Sequence, residues 1–127
     1  MPRYMALIYS DEQAWSSMPD EERNAVYARY RAFSERPEVV DGAELQPVSA
    51  ATSVRVRNDE TLVTDGPYAE LKEALGGYFM LECDSIDDAV ELAAEIPAAE
   101  HGAVEVRPAY VDDSAEQAGA EQHEVPA

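Results

Sequence analysis

Tyr4-Met-Ala-Leu-Ile-Tyr9 is a run of six consecutive apolar residues, and Tyr78-Phe-Met-Leu-Glu-Cys83 is a second run that only Glu82 interrupts. A strand with one solvated face alternates apolar and polar residues, whereas a strand buried on both faces is apolar throughout. Both runs are therefore predicted to be strands that are covered on both sides.

The rest of the sequence predicts two helices, a hairpin and a last strand. The first helix spans about 19–35, and the second begins at Ser85 with a capping-box pattern and ends before Pro97. The other predicted elements are a connector at 11–18, a turn at 37–42, a short strand at 44–46, a β-hairpin at 53–57 and 61–64, a loop at 65–77 and a strand at 103–110.

This order of elements, β-α-β, hairpin, β-α-β, predicts a ferredoxin-like α+β sandwich. Two helices can cover only one face of its sheet. Since both apolar runs predict burial on two faces, we expect the second face to pack on another copy of the sheet. The predicted assembly is a homodimer with isologous contacts.

The 127 residues fit one domain, which we place at residues 1–111. Residues 112–127 contain five acidic residues, no lysine or arginine and no apolar periodicity, so they are predicted to be a disordered tail. No apolar run approaches the roughly 18 residues that a membrane helix needs. The single cysteine, Cys83, predicts a buried structural thiol and a reducing cytoplasm.

The chain carries 27 acidic and 9 basic residues, for a formal net charge of −18. So negative a surface repels phosphate groups, which argues against direct binding to nucleic acid or to anionic membranes. Eight of the basic residues are arginines and one is a lysine. A high-salt cytoplasm would explain both the acid surplus and the lysine depletion, whereas a GC-rich genome would explain the lysine depletion alone.

The predicted functional site is the stretch Thr64–Tyr78, which contains that only lysine, Lys72. It opens with Asp65-Gly66-Pro67, a combination typical of tight turns. It closes with Gly76-Gly77, which permits close approach of another backbone. A lysine beside carboxylates can hold an anionic ligand or, where burial disfavours its charge, transfer protons. The alternative is a salt-bridged turn that only joins two strands.

The motif Asp65-Gly-Pro-Tyr68, Glu70-x-Lys72-Glu73, Gly76-Gly-Tyr78 resembles the signature of the YCII-related domain family, in its DGPF-motif branch. The opening Tyr4-Met-Ala-Leu-Ile8 and the later Glu105-Val-Arg-Pro108 resemble the ends of that family's domain, so the similarity spans about residues 3–111. The resemblance implies a ferredoxin-like domain that dimerises through its sheets, with a pocket around the motif loop.

The better-understood relatives in the wider superfamily resemble lyases or dehydrochlorinases with a histidine–aspartate pair. This chain has only His101, in a turn before the last strand, and His123, in the tail, so that pair is not carried over. The candidate catalytic residues are Asp65, Lys72 and Glu105. The candidate ligand-binding residues are Asp65, Gly66, Pro67, Tyr68, Glu70, Lys72, Glu73, Gly77, Tyr78 and Arg107.

Two functions stay open at this point, with a purely structural dimer behind them. The first is binding of a small, anionic ligand that is held between Lys72 and Arg107. By resemblance, the protein would then have a regulatory role, because members of this branch are often found near alternative sigma factors. The alternative is a cofactor-independent lyase or isomerase with a pocket roofed by Tyr68 and Tyr78. We expect no cofactor and no metal, since the sequence has neither a Cys/His cluster at metal spacing nor a phosphate-binding glycine loop.

Overall fold

A computed structural model describes residues 1–110, so the predicted tail at 112–127 lies outside the described residues. The strands are β1 (Arg3–Ser10), β2 (Val39–Glu44), β3 (Thr52–Arg57), β4 (Glu60–Asp65), β5 (Ala74–Glu82) and β6 (Ala103–Pro108). The helices are α1 (Glu12–Ser17), α2 (Asp20–Ser34), α3 (Ile86–Ala93) and α4 (Ala98–His101), with one turn of 3-10 helix at Val48–Ala50.

Four strands form one antiparallel sheet in the order β2-β5-β1-β6. Helix α2 connects β1 to β2, and helix α3 connects β5 to β6, so each helix crosses over one intervening strand. This is the ferredoxin-like α+β topology that the order of elements predicted, and the two apolar runs are its central strands. Strands β3 and β4 form a separate two-stranded hairpin, inserted between β2 and β5.

The hydrophobic core lies between the helices and one face of the sheet. Tyr4, Ala6 and Ile8 alternate along β1 and point toward the helices, and Leu81 of β5 is fully buried beside them. The helices contribute Phe33, Ala89, Leu92 and Ala93, and Ile96 joins them from the connection between α3 and α4. Phe79 of β5 extends this packing, with its ring centroid 4.9 Å from that of Phe33. Helix α3 begins as its sequence predicted, because the Ser85 hydroxyl accepts a hydrogen bond from the Asp88 N–H at 3.2 Å.

The opposite face, which we call the open face, carries the intervening side chains of the same strands. Met5 and Leu7 of β1 stand directly beside Met80 and Tyr78 of β5, and all four are half-buried. Next to them Tyr9 ends the row on β1. The open face is therefore apolar at its centre, as the continuous apolar runs predicted.

Four predicted elements differ from the structure. The connector at 11–18 contains helix α1, whose first turn is held by the Asp11 carboxylate. The turn at 37–42 and the strand at 44–46 are replaced by β2, in which Gly42 lies against the Phe79 ring. Strand β5 begins four residues before Tyr78, because Ala74 already pairs with Ser10, so the motif loop spans only 66–73.

Within residues 1–110, no helix combines the length and the hydropathy required to cross a bilayer.

Candidate functional site

The motif loop starts from a fixed position on the β3–β4 hairpin. Gly66 has a φ of +106°, a value that favours glycine, and its N–H donates to the Ala51 carbonyl at 2.8 Å. Its own carbonyl accepts a hydrogen bond of 2.8 Å from the Ser53 hydroxyl. Two residues later the Tyr68 ring stacks under the Arg55 guanidinium, 4.9 Å from the ring centroid. The first half of the loop is therefore bound to the hairpin.

The second half of the loop brings Lys72 to the start of α1. Asp11 caps that helix, since its Oδ1 accepts hydrogen bonds from the N–H groups of Gln13 and Ala14 at 2.9 and 3.3 Å. Glu12 Oε2 accepts a hydrogen bond of 3.0 Å from the Val48 N–H. These groups enclose a cavity of about 300 Å³, lined by Asp11, Glu12, Gln13, Val48, Leu71, Lys72 and Ala74. We call it the Lys72 pocket.

The ammonium group of Lys72 has no carboxylate within 4.0 Å among the described residues. The side chain is exposed, so the burial that proton transfer by a lysine would require is not met. Glu70 and Glu73 are exposed as well. An exposed ammonium group that lines a small pocket and has no carboxylate partner among the described residues is suited to holding an anionic group.

A second set of predicted residues lies on the open face. Tyr78 and Glu105 are both cross-strand neighbours of Leu7, and Arg107 is the neighbour of Met5. Arg107 Nη2 and Glu105 Oε2 are 2.7 Å apart, and this hydrogen bond raises the pKa of Arg107. The open face thus carries an ion pair and a phenol beside an apolar centre.

The structure therefore divides the predicted residues among three places. The base of the hairpin holds Asp65, Gly66, Pro67 and Tyr68. The Lys72 pocket holds Lys72, and the open face holds Tyr78, Glu105 and Arg107. No hydrogen bond or ion pair joins the three predicted catalytic residues in the part of the chain that the structure describes.

The residues of α1 in the Lys72 pocket were missed because a six-residue helix is too short to show apolar periodicity. The available signal was Asp11 before an acidic first turn. Gly77, by contrast, has the role its sequence predicted: a Cβ there would stand 2.7 Å from the Ala43 carbonyl oxygen, so β2 and β5 approach closely at this point.

A larger cavity of about 480 Å³ lies at the other end of the sheet and contains none of the predicted site residues. Its lining is mainly charged, with Arg36, Glu38, Glu82, Asp84, Asp88, Glu91 and Glu95 around Cys83. Cys83 is buried, as the sequence predicted, and this burial raises the pKa of its thiol. His101 is exposed on α4, with Nε2 3.9 Å from Glu100 Oε1. Among residues 1–110, no three His, Cys, Asp or Glu side chains are grouped as a metal site.

Comparison with known proteins agrees with this description. The profile of the YCII-related domain matches residues 2–111. A protein of Rhizobium meliloti (strain 1021), named as uncharacterized, is 38% identical over 111 residues, which are 83% of this chain and 90% of that protein. The finer assignment to the DGPF-motif branch stays a prediction. The match covers every helix and strand described above, and the chain belongs to the family of YCII-related domain proteins.

Proposed function

We propose that this YCII-related protein binds a small anionic molecule in the Lys72 pocket. The observation that carries the proposal is the ammonium group of the only lysine, which lines a cavity of about 300 Å³ and has no carboxylate partner within residues 1–110. That volume is at the lower end of the range for ligand pockets, which favours a small ligand.

The other polar groups of the pocket narrow the chemistry further. Asp11 and Glu12 each use one carboxylate oxygen to hold backbone N–H groups, through Oδ1 and Oε2 respectively. Their second oxygens have no hydrogen-bond partner among the described residues and can accept from a ligand. The ligand best suited to this pocket combines an anionic group for Lys72 with a hydroxyl or amine donor for the carboxylates, as in a small hydroxy acid or amino acid.

Thermal unfolding with a panel of small hydroxy acids, amino acids and inorganic anions tests this proposal. A ligand present at 100 times its Kd stabilises the folded state by about 2.7 kcal/mol. For a domain of this size the melting temperature should rise by roughly 10 °C, at about 4 °C per kcal/mol. The Lys72→Met variant should keep its own melting temperature within a few degrees and lose this rise.

Arg57→Met is the matched control, because it also removes one positive charge. Arg57 is exposed on β3, and its only side-chain hydrogen bond among the described residues goes to the neighbouring Val56 carbonyl. It should respond to the ligand as the wild type does. The proposal is wrong if no compound in the panel stabilises the wild type, or if Lys72→Met retains the response.

The open face supports a second candidate, a cofactor-independent lyase or isomerase. Glu105 forms an ion pair with Arg107, and Tyr78 lies across Leu7 from it, so a carboxyl group and a phenol that could exchange protons with a substrate share one face. Exchange of solvent deuterium into hydroxy acids and keto acids, followed by NMR, tests for proton abstraction. Exchange should depend on Glu105 and be lost in Glu105→Gln. Equal exchange in both proteins would exclude this role.

A homodimer through the open face goes with either function. Its support is the apolar centre of that face, where Met5, Leu7, Met80 and Tyr78 stay half-buried in the single chain. Covering them with the same face of a second copy removes apolar surface from water on both chains. It would also place Glu105 and Arg107 in the interface, so a substrate of the lyase or isomerase candidate would reach Glu105 only between the two copies.

A further inference from the structure

The two faces of the β3–β4 hairpin differ sharply in composition. Residues directly opposite each other in an antiparallel pair share a face. Val54 opposes Val63, Val56 opposes Thr61, and Thr52 opposes Asp65, so these side chains form one side, which we call the valine face. The other side carries Ser53, Arg55, Arg57, Glu60, Leu62 and Thr64.

The motif loop packs on the other side, and the valine face stays exposed in the part of the chain that the structure describes. Ser53 holds the Gly66 carbonyl, and Arg55 stacks on Tyr68, both from the side opposite the valines. Val54, Val56 and Val63 are 62%, 58% and 64% exposed. An isolated two-stranded hairpin is only marginally stable in water, so an exposed β-branched face on such a hairpin marks a contact surface.

The charge of the chain indicates what covers this face. A basic partner would be attracted to the acidic surfaces that give the chain its net charge of −18. A second copy is equally acidic and can approach only where acids are scarce. The valine face has a single charged residue, Asp65, at its base, and its centre is uncharged. It is also self-complementary, because the valines of one copy meet the valines of the other.

We propose that the valine face packs on the valine face of a second copy, with the two hairpins stacked as in a small β-sandwich. Two strands of six residues offer much less than the roughly 800 Å² per partner of a standard interface. This contact therefore acts beside a larger interface, either within the same dimer or between dimers. The contact through the valine face uses none of the residues that line the Lys72 pocket, so either proposal can be refuted without refuting the other.

Sedimentation velocity over a concentration series tests the contact with Val63→Glu, which places two like charges face to face. The association constant for the assembly step that uses this contact should fall at least about a hundredfold. Leu62→Glu is the matched control. Leu62 is adjacent to Val63 on the same strand and is 42% exposed, but its side chain lies on the other side of the hairpin, opposite Arg55. It should associate as the wild type does. Equal association of all three proteins, or equal weakening by both substitutions, would overturn the proposal.

Cross-linking provides a second readout that does not depend on stability. The natural thiol at Cys83 is buried, so a new surface thiol reacts selectively. Val63→Cys should form covalent dimers with a short bismaleimide, whereas Leu62→Cys should not. Cross-linking at neither position, or to the same extent at both, would contradict a contact through the valine face.

Discussion

Substitution of the two adjacent motif glycines by alanine should affect stability differently, although both glycines lie in β5. A Cβ on Gly77 would stand 2.7 Å from the Ala43 carbonyl oxygen and 3.4 Å from Glu44 Cα, whereas a Cβ on Gly76 meets nothing within 4 Å. Real Cβ contacts essentially never fall below 3.0 Å. Gly77→Ala therefore forces β2 away from β5, and the obstacle is backbone that no rotamer change can move.

The size of the effect follows from the cost of overpacking. Extra atoms in a well-packed region cost about 1–3 kcal/mol. Alanine also restricts the unfolded chain, which stabilises the folded state by about 0.4–1 kcal/mol where the backbone conformation suits it. Gly76→Ala should therefore be neutral or slightly stabilising. Gly77→Ala should melt roughly 4–12 °C below Gly76→Ala, at about 4 °C per kcal/mol.

Urea unfolding followed by circular dichroism measures both variants against the wild type. Since the unfolded-state term is nearly the same for the two, the difference between them isolates the clash with Ala43. Equal stability of Gly76→Ala and Gly77→Ala would refute the close approach of β2 and β5.

Three further outcomes follow from burial, charge and the open face. Because burial raises the pKa of Cys83, iodoacetamide should alkylate this thiol far more slowly in the folded protein than in urea at neutral pH, and equal alkylation rates would contradict the burial. The contribution of the buried thiol to stability should be complete below the ordinary thiol pKa and should decrease as pH rises above it. If the net charge of −18 reflects adaptation of the protein to a high-salt cytoplasm, the melting temperature should increase from dilute buffer to molar KCl. Full stability without salt would count against such an adaptation. Leu7→Glu, at the centre of the open face, should convert a dimer to a monomer in sedimentation experiments, and a monomeric wild type would exclude the sheet-face dimer.

The central strands and the fold class could be predicted from the sequence because an uninterrupted apolar run is a direct compositional signal. The six apolar residues from Tyr4 to Tyr9 lie in β1, which is a central strand of the sheet. The cap at Ser85 was equally readable, since capping depends on one local side chain. The β2 strand was missed because Gly42 was interpreted as a turn residue, whereas it is there to accommodate the Phe79 ring, a neighbour that the local sequence does not reveal.

The site was predictable as a segment but not as an arrangement. Turn chemistry at Gly66 and the rarity of lysine marked the motif loop, and both are local features. The separation of Lys72 from Glu105 depends on where β5 begins and on which face β6 presents, and these follow from register. The Lys72 pocket also required helix α1, whose six residues leave no periodic pattern.

The most direct test of the proposed anion site uses the fact that Lys72 is the only lysine. Protein labelled with ¹⁵N-lysine gives a single side-chain ammonium signal, which can be followed by NMR while lactate, alanine and inorganic phosphate are added separately. The proposal predicts that at least one of them shifts the Lys72 signal saturably and that Arg57→Met leaves the shift unchanged. Small, linear shifts with every compound, equal to those of free lysine, would contradict an anion site at Lys72.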